Sequence, residues 1–259
     1  MEGKKMRIDR LSEMESYIIK NGSVSLDEMA ENFGLSLNTI RRDVEELLTR
    51  GNIKKVYGGV TAVSGENILF TNRENKNKSA KQIIGSLAAE LIENNSTVYI
   101  DTGTTTAQVV SNLGNKSGVT IITNSLKVMC EAGKSPELNL LTLGGYYNYA
   151  TASFIDSKLI EKMSKLHFDY VFLGASSISK NGLAINSYFE LDKKQWLVKN
   201  NKGRIVLLAD TNKYDTTALY LFSDFNEVDI VIAEAPLPEP YMEIMNENHI
   251  KFICPEKSE

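Results

Sequence analysis

Hydrophobic positions along this chain change period midway, and the change divides it into two kinds of structure. Over 8–19 the apolar residues Ile8, Leu11, Met14, Tyr17 and Ile18 recur at helical spacing, predicting a helix with one buried face. Asn21-Gly22 ends it with residues that tolerate a left-handed backbone. Ser25 is placed to cap a second, short helix, with Glu28 three residues on to complete a capping box. That helix buries Leu26, Met29, Ala30 and Phe33, and Gly34 closes it. Ser36 caps a third helix whose Ile40, Val44, Leu47 and Leu48 face a core, and Gly51 stops it. Ile53-Lys54-Lys55-Val56-Tyr57 then alternates as a strand, Gly58-Gly59 turns, and Val60 to Val63 return. Two helices joined by a tight glycine turn, followed by a two-stranded wing, make a winged helix-turn-helix unit, assigned to residues 6–61.

Residues 62–78 are polar and rich in Asn, Lys and Ser, and read as a connector to a second domain over 79–259. A helix resumes at Ser79 and carries Ile83, Ile84, Leu87, Ala88 and Leu91 on its apolar side. Beyond it, short apolar runs suited to strands lie at 97–100, 119–122, 138–143, 170–173, 204–208, 230–233 and 251–253. Helical patterns fall between several of them, at 105–113, 126–131, 156–166 and 189–200. Such alternation predicts an α/β domain with a largely parallel sheet, whose ligands sit at the carboxyl ends of the strands.

Charge refines this picture. The chain has 259 residues and a net charge of −4, which by itself argues against a nucleic-acid partner. The first sixty residues hold ten Lys and Arg against ten Asp and Glu, so any contact with DNA depends on where charge is placed. On the third helix, Asn38, Thr39, Arg41 and Arg42 gather near the start, opposite the apolar face. Asn pairs with adenine and Arg with guanine in the major groove, so a recognition helix needs these residues there. Lys54 and Lys55 on the wing are assigned to phosphate contacts, and Asp43 to a partner within the domain.

In the second domain the strand ends carry the chemistry. Asp101-Thr102-Gly103-Thr104-Thr105 follows the first strand, Thr123-Asn124-Ser125 the second, Gly144-Gly145 the third, Gly174 the fourth, and Asp210 with Lys213 the fifth. Hydroxyls, close-approach glycines and exposed backbone N–H groups at one sheet edge suit a small, oxygen-rich anion, and a phosphorylated sugar best. Cys130 and Cys254 have no metal or disulfide spacing, and His167 and His249 are isolated, so neither a metal nor a cofactor is expected. No apolar run is long enough to span a bilayer and the N-terminus lacks a signal-peptide core, so the expected location is the cytoplasm, with no membrane partner.

The segment 22–60 resembles the winged helix-turn-helix of the DeoR family of bacterial transcriptional regulators. The resemblance rests on Ser36, the run Thr39-Ile40-Arg41-Arg42-Asp43, the tail Leu47 to Gly51 and the Gly-Gly after the wing. Where that family's wing commonly reads Arg-Val-His-Gly-Gly, this chain has Lys55-Val56-Tyr57-Gly58-Gly59. Arg73, Lys78, Lys81, Asp101, Gly103-Thr104-Thr105, Thr123-Asn124-Ser125, Gly144-Gly145, Gly174, Gly182-Leu183, Glu190 with Lys194, and Asp210 with Lys213 fall in the order of the family's C-terminal sensor domain. The resemblance implies a Rossmann-like α/β fold similar to ribose-5-phosphate isomerases and CoA transferases, binding a phosphosugar or related metabolite and holding a homodimer or homotetramer together. It further implies a double-stranded DNA operator read through Ser36, Asn38, Thr39, Arg41, Arg42, Lys54 and Lys55. The expectation is a repressor of a sugar-metabolism operon, not an enzyme. The alternative is a sugar-phosphate isomerase using Asp101, Glu190 and Lys194 as acid-base groups, which leaves the first sixty residues without a task. RNA binding is disfavoured because no aromatic platform accompanies the basic residues.

Overall fold

The computed structural model describes residues 10–11, 13–15, 17–18, 21, 23–49, 53–56, 58–62 and 70–256. Expectations placed on Ile8, Ile19, Gly22, Gly51, Tyr57, Val63 and most of the connector lie outside those residues. The chain forms two compact units, Met1–Arg73 and Glu74–Glu259.

In the first unit, residues 10–11, 13–15 and 17–18 are helical (α1), with α2 at Leu26–Phe33 and α3 at Leu37–Thr49. Leu11, Met14 and Ile18 from α1 meet Met29 from α2 and Ile40, Val44 and Leu47 from α3 in one apolar core. Ser25 caps α2 by accepting the Glu28 N–H at 3.1 Å. Only half of the expected capping box forms, since the Glu28 carboxylate accepts from the Tyr17 hydroxyl at 3.1 Å. Gly34, at φ 63°, closes α2, and Leu35 N–H returns to Ala30 O at 3.0 Å. Asp43 of α3 is fully buried and takes Arg10 Nε at 3.0 Å and Nη2 at 2.6 Å, an ion pair that ties α3 to α1.

The wing differs from expectation in having a third strand. The strand β1, Ser23–Ser25, joins β2 (Ile53–Val56) and β3 (Gly59–Ala62) in an antiparallel sheet of order β1-β3-β2. The two glycines of the turn then have separate reasons. Gly58 has φ 77°, the left-handed region that Gly enters without a Cβ penalty. Gly59 pairs with Ser25, and a Cβ there would stand 2.3 Å from Val24 O. Three residues of β1 show too little alternation to read as a strand, and their partner lies more than thirty positions away.

The second unit begins with two helices, α4 (Phe70–Asn75, whose start belongs to the first unit) and α5 (Lys78–Glu90). The sequence reading took the residues of α4 as connector. All seven expected strands form one parallel sheet: β4 (Thr97–Ile100), β5 (Thr120–Thr123), β6 (Asn139–Thr142), β9 (Tyr170–Gly174), β12 (Arg204–Leu208), β14 (Ile230–Ile232) and β15 (Lys251–Ile253). The order is β15-β14-β12-β9-β4-β5-β6. The chain thus builds outward from β4 to β6, returns to place β9 beside β4, and builds outward the other way. Both faces are covered. Val98, Ile100, Ile121, Val206 and Ile232 pack with residues of α5, of α6 (Ala107–Val110) and of α7 (Leu126–Ala132). Tyr99, Val171, Leu173, Leu207 and Val231 pack with α8 (Leu159–Met163), α9 (Tyr188–Asn200) and α10 (Glu239–Glu247). Burial on both faces is why the five inner strands read as continuous apolar runs, while the edge strands β6 and β15 are more exposed.

Smaller elements went unread: the hairpin β7 (Tyr146–Asn148) and β8 (Ser153–Ile155), the strands β10 (Ser177–Ser179), β11 (Gly182–Ile185) and β13 (Tyr220–Ser223), and α10. The helices expected at 105–113 and 156–166 are shorter, at Ala107–Val110 and Leu159–Met163, with turns beside them. Among the described residues no helix is long and apolar enough to cross a membrane.

Replacing Gly59 with Ala forces the Val24 carbonyl away from β3. Overpacking of this kind costs about 1–3 kcal/mol, so urea unfolding of Gly59→Ala should show the first unit losing stability on that scale. An unchanged midpoint would show that β1 yields without cost.

Candidate nucleic-acid interface and ligand site

Helix α3 presents two chemically distinct faces. Ile40, Asp43, Val44 and Leu47 are buried, while Asn38, Arg41, Arg42 and Glu45 are exposed. Ser36 Oγ accepts the Thr39 N–H at 3.2 Å and lies 2.9 Å from Thr39 Oγ1. These two hydroxyls therefore start the helix, which leaves Asn38, Arg41 and Arg42 as the side chains free to reach outward. Neighbouring residues of a strand point to opposite faces, so Lys54 and Lys55 do not act as a pair. Lys55 shares the side of Ile53, which is buried in the core that includes α3, and its ammonium meets Glu45 Oε1 at 2.5 Å.

The second site is the crevice where the sheet reverses. Strands β4 and β9 are neighbours whose connections leave in opposite directions, so their carboxyl ends mark the switch point at which sheets of this kind take ligands in a crevice. Asp101 stands at the end of β4, 1% exposed. Its Oδ1 accepts from Lys193 Nζ at 2.9 Å, and its Oδ2 from Lys194 Nζ and from Gly174 N–H at 3.3 Å. Lys194 also donates to Gly174 O at 2.7 Å. Lys193 donates to Glu190 Oε2 and, at 3.4 Å, to Asn124 Oδ1. The Glu190 carboxylate takes Thr102 Oγ1 at 2.9 Å and Ser153 Oγ at 3.1 Å. Asn124 Oδ1 accepts from the Tyr99 hydroxyl at 2.9 Å.

Two carboxylates and two ammoniums are thus buried together, each with several partners. Burial drives the Asp101 carboxyl upward, but the Lys193 and Lys194 charges outweigh it and hold it below the usual carboxylate range. Burial lowers Lys193, and the Asp101 and Glu190 carboxylates more than restore it, to well above an ordinary lysine. Lys194 is left lowered, because burial and the like charge of Lys193 prevail over Asp101. Burial likewise raises the Tyr99 phenol. An aspartate held ionised this firmly is a poor proton acceptor near neutral pH, which counts against the acid-base alternative.

The expected loops meet at this edge, with differing roles. Asp101, Asn124, Gly174, Glu190 and Lys194 belong to the cluster. Gly103 lies beside Gly174, and the buried hydroxyl of Thr106 braces the loop by donating to Asp101 O at 2.8 Å and Gly103 O at 2.9 Å. Thr104 and Thr105 are buried in that loop. Thr123 and Ser125 serve the fold: Thr123 Oγ1 donates to Ile100 O at 2.7 Å, and Ser125 caps α7. Gly144 is half-buried, and Gly145, at φ 150° with Ile155 O where a Cβ would be, shapes the entry to the hairpin.

Asp210 belongs to a neighbouring site. Its Oδ1 accepts from Asn77 Nδ2 at 2.9 Å, while its Oδ2 is buried without a hydrogen-bond partner. The Tyr214 hydroxyl, four residues on, is also buried and unpartnered, and its phenol is raised by burial and by nearby acidic groups including Asp210. Lys213 is half-buried. The sequence reading missed Lys193, Ser153 and Tyr214, and named Thr102 only as part of its loop. Helical spacing held a signal for the first, since both i+3 and i+4 from Glu190 share its face.

A model of the DeoR-like helix-turn-helix domain matches residues 10–66, and one of the DeoR C-terminal sensor domain matches residues 76–235. The HTH-type transcriptional regulator IolR of Bacillus subtilis (strain 168) is 33% identical over 247 residues, covering 95% of this chain and 98% of its own. The glycerol-3-phosphate regulon repressor of Escherichia coli (strain K12) is 30% identical over 235 residues, covering 90% and 93%. Among solved structures, ribose-5-phosphate isomerase A of Methanocaldococcus jannaschii aligns over 54% of this chain and 55% of its own, at 21% identity and a TM-score of 0.38. That likeness is too slight to bear on activity.

Removing one member of a buried ion network strands its partners, at a cost of about 3–5 kcal/mol. Asp101→Asn should destabilise the second unit on this scale in denaturant titration. The wild-type contribution is complete above the unfolded aspartate pKa of about 3.9 and drains away as pH falls through the lowered folded value. The stability difference between wild type and variant should therefore be constant above about pH 4 and shrink below it. A pH-independent difference would mean that Asp101 charge is not what the lysines hold.

Proposed function

This chain belongs to the DeoR family of transcriptional regulators, and from that premise we propose that it represses a sugar-metabolism operon and is released by a phosphorylated sugar. The observation that carries the DNA-binding half is the exposed Asn38-Arg41-Arg42 face on a helix whose other side buries Ile40, Asp43, Val44 and Leu47. Such a helix is held rigidly while offering base-reading donors from its first turns. Ser36 and Thr39 start the helix beside the phosphates, and Lys54 and Lys55 flank the groove. Half-sites a helical turn or a multiple of it apart require two copies, so a homodimer or homotetramer is the proposed reader.

For the effector, the crevice at β4 and β9 offers Lys193 and Lys194 as anion receptors. Asp210 offers an acceptor that lacks a donor, which a sugar hydroxyl supplies. The sensor-domain match and the phosphorylated polyol in the name of the relative from Escherichia coli favour the same class of ligand. The connector and domain limits, 62–78 and 79–259, are proposed to be functional as well as structural divisions, with DNA reading confined to the first part. Family membership makes the chain a regulator, and the carboxylate of Asp101, held by both Lys193 and Lys194, is badly placed to serve an isomerase as base.

Operator duplexes enriched from random DNA by the full-length protein provide the first test. Arg41→Ala and Arg42→Ala should each weaken binding to them by about 5- to 150-fold, the value of one bidentate base contact, with circular dichroism unchanged. Normal binding by Arg42→Ala would refute the assigned face. In a thermal-shift screen against pentose, hexose and triose phosphates, a specific ligand at a hundredfold over its Kd adds about 2.7 kcal/mol. Asp210→Asn should abolish that shift while leaving the unliganded melting temperature within a few degrees. Full retention of the shift would remove Asp210 from the site.

A further inference from the structure

Glu45 is the one acidic side chain on the outward stripe of α3 formed by Asn38, Arg41, Arg42 and Glu45, which share one face because they are spaced i, i+3, i+4 and i+7. A carboxylate on the surface that must approach a polyanion is unfavourable unless it has a partner. In the structure that partner is Lys55 of the wing, at 2.5 Å, with the two side chains 61% and 62% exposed. An exposed pair of this kind adds little to stability, so anchoring the wing is a weak reason for it. In the major groove, by contrast, a glutamate has a specific partner, the exocyclic amino group of cytosine.

We propose that Glu45 makes DNA binding by this protein depend on sequence, by holding Lys55 away from phosphate until a base amino group replaces it. This rests on the DNA-reading role of α3 argued above. On non-cognate DNA, Glu45 has no base donor, keeps Lys55 engaged, and adds its own repulsion toward the backbone. At the operator, the amino group of a cytosine takes the carboxylate. Lys55 is then released to a phosphate at the edge of the groove. One base contact and one phosphate contact thus form together or not at all. The arrangement suits a DNA-binding unit whose acidic and basic residues balance, where attraction to any duplex is modest and the gain at the right duplex has to come from placed groups.

The test uses the full-length protein, a duplex that it enriches from random DNA, and an unselected random duplex, with affinities measured across a salt series. Glu45→Gln should bind the random duplex several-fold more tightly, with a salt slope steeper by about one phosphate contact. Its preference for the enriched duplex should fall by about tenfold, within the range of one base contact. Lys55→Gln should weaken random-duplex binding modestly, by leaving Glu45 unpaired, with its slope unchanged, and weaken the enriched duplex more, with a slope shallower by about one. The swapped protein Glu45→Lys with Lys55→Glu keeps the ion pair but puts the cation on the helix. Loss of discrimination in the swap supports the proposal. Wild-type discrimination there would show the pair to be a structural staple and overturn it, as would Glu45→Gln with unchanged slopes and preference. If wild-type protein enriches no duplex at all, the failure belongs to the DNA-reading role itself and is seen before any variant is made.

Discussion

Two lysine ammoniums buried against two carboxylates, at the point where a parallel sheet reverses, constrain the larger unit more than any other feature. None of the four charges is tolerable alone at that depth. Asp101 needs Lys193 and Lys194, Lys193 needs Glu190, and Glu190 needs the hydroxyls of Thr102 and Ser153. Satisfying them fixes the rotation of α9, which delivers Glu190, Lys193 and Lys194 from one face. It also fixes the approach of β9, because Gly174 gives both its N–H and its carbonyl to the network. The hairpin strand β8, reached through Ser153, is held by the same demand.

The smaller unit solves a related problem with one pair. Arg10 and Asp43 lock the recognition helix to α1 from behind, so that the side turned outward carries mobile donors on a fixed axis. Since the acidic and basic residues of the first sixty positions balance, rigidity and placement have to do what bulk charge does in strongly basic DNA-binding proteins. A flexible helix with the same residues would lose the entropy of ordering them on each binding event.

What the sequence made legible follows from how local each signal is. The five inner strands of the parallel sheet were readable because burial on both faces leaves unbroken apolar runs such as Ile205 to Leu208, and the more exposed edge strands β6 and β15 by shorter apolar pairs. The recognition helix was readable from the split between Ile40, Val44 and Leu47 and the polar residues opposite. Strand β1 and the sheet of β10, β11 and β13 were not, since three or four residues carry little periodicity and their partners are distant in sequence. At the crevice, Asp101, Asn124 and Gly174 were found by their places at strand ends, and Glu190 and Lys194 only through the resemblance to the sensor domain. Ser125 and Gly145 were selected by the strand-end rule but serve as a cap and a tight turn. Lys193 was not among the residues that carried the family resemblance, and nothing in its own apolar or polar pattern marks it out, yet the structure pairs it with Glu190 at i+3.

The contrast between the two parts of the ligand site bears on how binding can be converted into release. Asp210 has a buried oxygen, and Tyr214 a buried hydroxyl, without a hydrogen-bond partner among the described residues, so under the proposed assignment a ligand hydroxyl would be accepted at Asp210 with little rearrangement. Lys193 and Lys194 are fully engaged, so an anion that reaches them has to take the place of Asp101 or Glu190. Under the proposed site assignment, a sugar without a phosphate would have nothing to gain from separating the lysines from their carboxylates, and a ligand with equal affinity for two states shifts neither. A phosphorylated sugar would gain from that separation. That difference in affinity, and not the total strength of binding, is what can be spent on releasing DNA.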